Sequence, residues 1–237
     1  MTRQTFWHLF HRVTVPSVTR FLAVLALIFG VFSAPAADSF ERFGIVLLHG
    51  KTGTPGQFTL LARNLADLGY LVETPELCWS ATRIYDRSFT GCYEDIDAAI
   101  AILADLGAEG IVVAGHSLGG VGALAYGSSH ANLAGIIAFA PAGDPVSFAG
   151  IPVIRQSVQK AESEIAAGNG GNPMQFNDFV LGRALPVEAR PADFVTFYGP
   201  ESPGVLTRTI PNLTAPLLWA AGPGDSSQRN AKSLFSK

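Results

Sequence analysis

The sequence predicts an α/β protein in which a mainly parallel sheet has helices on both faces, forming a three-layer sandwich. Short apolar runs rich in β-branched residues recur along the chain, as buried strands require. They occupy residues 44–48, 70–74, 111–114, 133–140 and 216–221. Segments with a helical apolar pattern lie between them, at residues 58–68, 92–106 and 118–129. Strands that alternate with helices at this spacing are typical of a parallel sheet.

The composition indicates one globular domain with a large core. The 237 residues are 48% hydrophobic and only 15% charged, which argues against disorder. Without residues 1–36 the chain carries 13 basic and 19 acidic residues, a net charge of −6. No basic patch remains that would indicate nucleic-acid binding, so we expect no nucleic-acid partner.

Residues 1–36 have the order of a secretory signal peptide, with basic residues first, then an apolar run and then small residues before the cut. These features are Arg3, Arg12, Arg20, residues 21–32 and Ala34-Pro35-Ala36. The apolar run is shorter than the ~20 residues of a spanning helix, which favours cleavage before Ala37 over an uncleaved anchor. We therefore expect a periplasmic or secreted domain at residues 37–237, without stable membrane insertion.

The two cysteines, Cys78 and Cys92, both follow the predicted signal peptide. An exported protein meets an oxidising compartment, so an even pair predicts a disulfide. The alternative is two unconnected, partly buried thiols. No C-x-x-C pair or Cys/His cluster indicates a metal site, and we expect no metal and no cofactor.

Residues 110–120, GIVVAGHSLGG, contain the pattern G-x-S-x-G between an apolar strand and a helix of small residues. A serine on such a sharp turn is exposed above the sheet edge, and the flanking glycines avoid collisions. The sequence therefore predicts that Ser117 is a nucleophile and that the Leu118 N–H points toward a bound oxygen. The alternative is a glycine-rich turn with an incidental serine.

GHSLGG, together with the upstream run IVLLHG at residues 45–50, resembles the α/β-hydrolase superfamily, and more narrowly its secreted bacterial members. The resemblance covers residues 43–237. It implies a serine hydrolase, esterase- or lipase-like, whose second oxyanion donor is the backbone N–H of Lys51. Residues 145–213 interrupt the strand–helix rhythm with a helix at 156–167 and a proline-containing segment at 174–213. They resemble the lid that such hydrolases place over the serine.

A nucleophilic serine needs a histidine to take its proton and a carboxylate to hold that histidine. The resemblance implies the chain order serine, acid, histidine. Asp225, just after the strand at 216–221, is the candidate acid, and Asp144, which also follows a strand, is the alternative. The alternative interpretation of Asp225 is a solvated turn aspartate in the Pro-Gly-Asp turn at residues 223–225.

The chain order serine, acid, histidine does not locate a catalytic histidine in this sequence. The five histidines are His8, His11, His49, His116 and His130, and none follows Asp225. We therefore expect the family's last strand, histidine loop and helix to be missing, either from a truncated product or from a degraded hydrolase. The 237-residue chain is then nearly inactive on activated esters, whereas a form extended through that segment is active.

Three further residues are candidates for the walls of the site. Trp79, Arg83 and Tyr85, in the connection at residues 76–91, are expected to line the wall opposite the predicted nucleophile. The Lys51 ammonium is expected near the mouth of the site or in solvent. Arg83 and Lys51 together would suit a substrate with a carboxylate or phosphate. Two hypotheses remain: a serine hydrolase of an ester, thioester or amide, and a non-catalytic binding protein or remnant with the same fold.

Overall fold

The computed structural model describes residues 42–235, apart from the side chains of residues 226, 229, 230 and 233. The predicted signal peptide lies outside these residues. The strands are β1 (Phe43–Leu48), β2 (Leu71–Glu73), β3 (Gly110–His116), β4 (Gly135–Phe139), β5 (Met174–Val180), β6 (Arg183–Ala189) and β7 (Leu217–Ala220).

The helices within the same range follow each strand of the main sheet or belong to the insertion after β4. They are α1 (Thr59–Asp67), α2 (Tyr93–Asp105), α3 (Leu118–Ser129), α4 (Pro145–Phe148), α5 (Pro152–Ala166), α6 (Pro191–Tyr198), α7 (Leu206–Thr209) and α8 (Ser226–Phe235). Short 3-10 helices cover Pro55–Phe58, Thr90–Cys92 and Ile210–Asn212. Of the helices in residues 42–235, none has the length and apolar character needed to cross a membrane.

The main sheet has the strand order β2-β1-β3-β4-β7, and all of its pairings are parallel. Leu48 at the end of β1 pairs with Gly115, and His116 pairs with Phe139 at the end of β4. The predicted parallel sheet is therefore confirmed, and β1, β3 and β4 are neighbours in it. Their carboxyl ends meet at one edge, which is where ligands bind in open parallel sheets.

Both faces of the sheet are buried, which explains why its strands read as continuous apolar runs. On one face, β1 places Val46 and Leu48 in a large core with residues of α2 and α3. On the other face, Ile45 and Leu47 pack with Phe58 and with α1. The alternation along β1 thus separates the two helical layers of the predicted sandwich.

Residues 145–213 contain an antiparallel hairpin, β5–β6, that the sequence analysis did not predict. Prolines favour irregular structure, yet Pro186 lies inside β6 opposite Asn177. The two turn residues, Leu181 and Gly182, both have positive φ angles, of 48° and 81°. Such a turn suits a hairpin, but Leu-Gly is not the Asn-Gly or Asp-Gly pair that identifies it in sequence.

The insertion shares the core of the sheet instead of standing apart from it. The Phe197 ring in α6 lies 4.5 Å from the Tyr85 ring and 5.1 Å from the Phe89 ring, centroid to centroid. Phe89 in turn stacks on Trp79 at 5.9 Å. The connection at residues 76–91 is therefore the layer through which the insertion contacts the sheet.

Cys78 and Cys92 form a disulfide across this connection, with their Cα atoms 5.5 Å apart. Both cysteines are fully buried. The bond joins the start of the connection to the residue before α2, so it restrains the segment against which α6 packs.

We predict that replacing both cysteines by alanine lowers the free energy of unfolding by about 3 kcal/mol, because the unfolded chain regains the entropy of the open loop. Urea denaturation of the oxidised protein and the double variant measures the difference. Intact mass with and without reduction, after alkylation, verifies the bond. Two thiols that alkylate without reductant in protein recovered from the periplasm would contradict the disulfide.

Candidate active site

Ser117 occupies the turn between the end of β3 and the first residue of α3, with φ 55° and ψ −119°. Positive φ is rare for a residue with a side chain and marks a strained turn. The Ser117 N–H donates to the Phe139 carbonyl at 3.0 Å, and the Ser117 carbonyl accepts from the Ala142 N–H at 3.1 Å. Bonds to β4 and to the loop after it thus hold the strained conformation predicted for this serine.

The glycines on either side of Ser117 are required by the close approach of backbone to backbone. A Cβ on Gly119 would lie 2.6 Å from the carbonyl oxygen of His49, and one on Gly115 would lie 2.8 Å from the Gly120 nitrogen. Both neighbours are main-chain atoms, which cannot move aside as a flexible side chain can. The G-x-S-x-G spacing therefore reflects packing of β1, β3 and α3.

The loop after β1 lies directly against the serine. A Cβ on Gly50 would be 3.4 Å from the Ser117 Cβ. The loop is held by the Thr52 N–H, which donates to the Trp79 carbonyl at 2.9 Å, and by the Gly53 N–H, which donates to the Gly50 carbonyl at 3.0 Å. Leu118 is the first residue of α3, so its N–H has no acceptor within the helix. The structure thus brings the two segments with the predicted oxyanion donors, at Lys51 and Leu118, to the same serine.

His49 is buried and both of its ring nitrogens are used. With hydrogen on Nδ1, the ring donates to the Gly50 carbonyl at 2.9 Å and accepts from the Leu77 N–H, which lies 3.1 Å from Nε2. Burial lowers the pKa of His49, which favours this neutral form. The side chain therefore fixes the loop, and neither nitrogen is left to take a proton from Ser117.

The other described histidines also have their own partners. His116 is exposed, and its Nδ1 lies 3.0 Å from Nε2 of Gln57, whose Oε1 accepts from the Gly50 N–H at 2.9 Å. His130, just past the end of α3, stacks on Tyr126 at 3.9 Å. Among residues 42–235, no hydrogen bond joins a histidine to Ser117 or Asp225.

The two candidate acids lie in loops that follow sheet strands, but in different environments. Asp225 follows β7, and its carboxylate accepts from the Ser227 N–H at 2.8 Å, which lowers its pKa. The charge of a protonated His116 lowers the pKa of Asp225 further. Asp144 caps α4 through the Val146 N–H at 3.1 Å, and burial raises its pKa. The cap holds Asp144 to the insertion. Asp225, in contrast, responds to the charge of His116, which lowers its pKa.

The Lys51 ammonium does not lie at the mouth of the site or in solvent, and that expectation is corrected. Its Nζ donates to Asp178 Oδ1 at 2.7 Å, to the Phe179 carbonyl at 2.9 Å and to the Tyr198 hydroxyl at 2.8 Å. The side chain of Lys51 is 9% exposed and that of Asp178 is fully buried. The loop that carries the predicted oxyanion donor is thus bonded to the hairpin β5–β6 and to α6.

Two tyrosines complete this buried cluster, which consists of Lys51, Asp178, Tyr85 and Tyr198. The Tyr85 hydroxyl donates to Asp178 Oδ2 at 2.6 Å and lies 2.7 Å from the Tyr198 hydroxyl. Burial raises the pKa of both tyrosines well above its usual value, so both hydroxyls stay protonated. Burial lowers the pKa of Lys51, and the Asp178 carboxylate opposes this shift.

The sequence analysis missed Asp178 and Tyr198, and it expected Tyr85 in the opposite wall of the site, whereas Tyr85 lies in this buried cluster. One signal was present for Asp178, which shares the inward side of β5 with the buried Phe176. An acidic residue in the apolar phase of a strand indicates a buried partner, since an unpaired buried charge is costly. No comparable pattern places Tyr85 in the cluster, because Tyr85 lies in an irregular connection.

Trp79 and Arg83 do not line an opposite wall, which corrects the second expectation for this region. Trp79 is 1% exposed, and its Nε1 donates to the His49 carbonyl at 2.9 Å. The Arg83 guanidinium bonds Asp86 at 2.9 Å and Asp95 at 2.8 Å. The bond from Trp79 therefore supports the loop after β1. Two carboxylates neutralise the Arg83 guanidinium, so Arg83 is not free to pair with an anionic substrate.

Within residues 42–235, no group of three or more His, Cys, Asp or Glu side chains is arranged to hold a metal ion.

The strand order, the strained serine between β3 and α3, and the loop after β1 that lies against this serine are those of the α/β-hydrolase fold. The sequence profile of the family described as "Serine aminopeptidase, S33" matches residues 41–168. This match spans more than half of the chain, which therefore belongs to that family of the α/β-hydrolase superfamily. No protein of curated function matches the chain in sequence.

Solved structures show the same fold at low sequence identity. A monoacylglycerol lipase of Paleococcus ferrophilus has 18% identity and a TM-score of 0.60 over 83% of this chain and 80% of its own. The metagenome-derived lipolytic enzymes LipS and LipT give 18% and 0.53 over 83% and 79%. An extracellular α/β-hydrolase from a Paenibacillus species gives 16% and 0.51 over 82% and 87%.

We predict that Gly119→Ala destabilises the protein by about 3 kcal/mol or more, because the added methyl group meets carbonyl oxygens of β1 and its loop. Gly171→Ala is the matched control, since no atom lies within 4 Å of a Cβ at Gly171. That variant stays within about 0.5 kcal/mol of the parent. Urea denaturation compares the three proteins, and equal losses in the two variants would contradict the packing argument.

We predict that Asp178→Asn lowers the free energy of unfolding by about 3–5 kcal/mol, because the buried Lys51 ammonium loses its countercharge. Glu94→Gln is the control, since it breaks a surface pair with Arg87 and costs less than about 1 kcal/mol. Lys51→Met added to Asp178→Asn restores part of the loss by removing the unpaired charge. Additive losses in the double variant would show that the two side chains do not act as a pair.

Proposed function

We propose that this protein is a serine hydrolase that cleaves an ester, thioester or amide through an acyl-enzyme on Ser117. The observation that carries the proposal is the backbone conformation of Ser117, at φ 55°, on the turn where β3 meets α3. Strain of this kind persists only where the surroundings impose it, and it is concentrated at functional sites. Here it presents the serine side chain beside the loop after β1.

The main chain around Ser117 supports the second element of such a mechanism, which is the stabilisation of the negatively charged oxygen of the intermediate. An acyl transfer passes through a tetrahedral intermediate whose oxygen carries negative charge, and preorganised N–H groups stabilise that charge. The Leu118 N–H lies at the start of α3, where the helix dipole favours an anion. The Lys51 N–H belongs to the loop that lies against Ser117, and these two groups are the proposed donors.

Asp225 is the proposed acid of the site, because its carboxylate is held ionised by the Ser227 N–H and follows β7. Asp144 remains the second candidate, although its cap on α4 and its burial favour a structural role. The base is not identified among the described histidines. His116 is the one to test, because it is exposed, it directly precedes Ser117 in the chain and its charge lowers the pKa of Asp225.

The described histidines also favour a second function, that of a non-catalytic binding protein. His49 is neutral and fully bonded, and His130 stacks at the far end of α3, so neither is placed to activate the serine. A binding protein that keeps the fold and the serine would show this arrangement. Acylation at Ser117 discriminates between the two functions.

The proposed place of action is the periplasm or the extracellular space. The disulfide between Cys78 and Cys92 supports export, because such bonds persist in oxidising compartments. The substrate class that we propose is a small molecule with an acyl group.

We predict that p-nitrophenyl acetate acylates Ser117 slowly, with a burst of up to one p-nitrophenolate per protein and still slower turnover afterwards. Acylation and deacylation both need the base, and a triad without an effective base loses on the order of 10⁶-fold in rate, whereas the oxyanion donors alone retain about 10³-fold over water. Absorbance recorded over a long incubation measures the burst, and peptide mass spectrometry locates the acetyl group.

Ser117→Ala removes both the burst and the label, whereas the control Ser128→Ala, at the other end of α3, keeps them. Turnover that survives Ser117→Ala would overturn the nucleophile assignment. No label on the parent protein would favour the binding function. Fast turnover that depends on Ser117 would show that a described histidine acts as the base, and His116→Gln would then identify or exclude His116.

A further inference from the structure

A cavity of about 300 Å³ lies within the insertion, between α4, α5, the end of α6 and the segment before α7. Its walls are mainly apolar side chains. They include Pro145, Val146, Ala149, Ile154, Val158 and Val205. None of the lining residues belongs to the turn at Ser117 or to the loop after β1, although one of them, Tyr198, bonds Lys51 of that loop. The cavity therefore lies beside the buried cluster and does not include Ser117.

Arg155 contributes the charged group at this cavity. Its side chain is exposed, and its Nη1 lies 3.4 Å from the Ala149 carbonyl, too long for a strong hydrogen bond. Among the described residues, no carboxylate forms an ion pair with Arg155. The cavity thus combines apolar walls with a guanidinium whose charge is not neutralised by the protein.

This combination selects a ligand with one anionic head and an apolar tail. A guanidinium binds a carboxylate with two parallel hydrogen bonds, which fixes its orientation as well as its charge. A volume of about 300 Å³ is at the lower end of small-molecule pockets, which limits the tail to a short or medium alkyl chain. Exposed Val146, at the rim, would lose its contact with water when such a tail enters.

We propose that this cavity binds an alkyl monocarboxylate of medium chain length, with its carboxylate on Arg155 and its tail among the side chains of α4 and α5. The proposal does not rest on the chemistry of Ser117. It names a binding site in the insertion that operates whether or not the protein hydrolyses esters.

Isothermal titration calorimetry with octanoate, below its micelle concentration, tests this site. The parent protein binds one octanoate, and Arg155→Gln weakens binding about tenfold, the value of one charge-assisted hydrogen bond. Arg63→Gln, an exposed arginine on α1, is the matched control and leaves binding unchanged. Ser117→Ala also leaves it unchanged, which separates this site from the proposed nucleophile and makes failure of one distinguishable from failure of the other.

Two further measurements test the parts of the proposal. Ala149→Trp blocks the rim with a large side chain at an exposed position, so it abolishes octanoate binding without overpacking the core. Octanol binds the parent more weakly than octanoate, and Arg155→Gln removes this difference. Binding that does not saturate at one equivalent, equal binding of octanol and octanoate by the parent, or octanoate affinity that Arg155→Gln leaves intact would each overturn the proposal.

Discussion

The positive φ angle of Ser117 is the constraint from which the arrangement of the candidate active site follows. It requires the backbones of β1, β3 and α3 to meet more closely than any side chain allows, and Gly115 and Gly119 make that approach possible. Once the three segments are in contact, the loop after β1 lies against the serine and α3 begins at its side. The proposed nucleophile and the proposed main-chain donors are therefore positioned by backbone packing, with little dependence on side-chain choice.

The loop after β1 is fixed from two directions, by His49 and by Lys51, of which only Lys51 was expected elsewhere. Neutral His49 holds it to the connection at 76–91, and the Lys51 ammonium holds it to the hairpin in the insertion. An ammonium taken out of water is tolerated only with its acceptors in place. The buried pair of Lys51 and Asp178 thus links the packing of the insertion on the sheet to the position of a proposed oxyanion donor.

The insertion has two faces with different chemistry, and Tyr198 belongs to both. Its hydroxyl bonds Lys51 and Asp178, and its ring forms part of the wall of the apolar cavity. The insertion is thus joined to the sheet by buried polar bonds on one side and presents apolar surface on the other. A hydrophobic core shared through Phe197 and Phe89 makes the whole a continuous structure.

The sequence by itself determined the sheet, the order of its helices and the serine on its turn, because these depend on local patterns. Apolar runs, helical periodicity and the glycines around Ser117 each report on contacts made within a few residues or along one strand. The disulfide partners could also be named, since the chain has only two cysteines.

Only the tertiary structure decided where the Lys51 ammonium goes, how Trp79 and Arg83 are used, and that residues 174–189 form a hairpin. Lys51 and Asp178 are 127 positions apart, and pairing over such a distance leaves no periodic trace in the chain. Their contact follows from desolvation and packing of the insertion against the sheet, which exist only once the chain has folded.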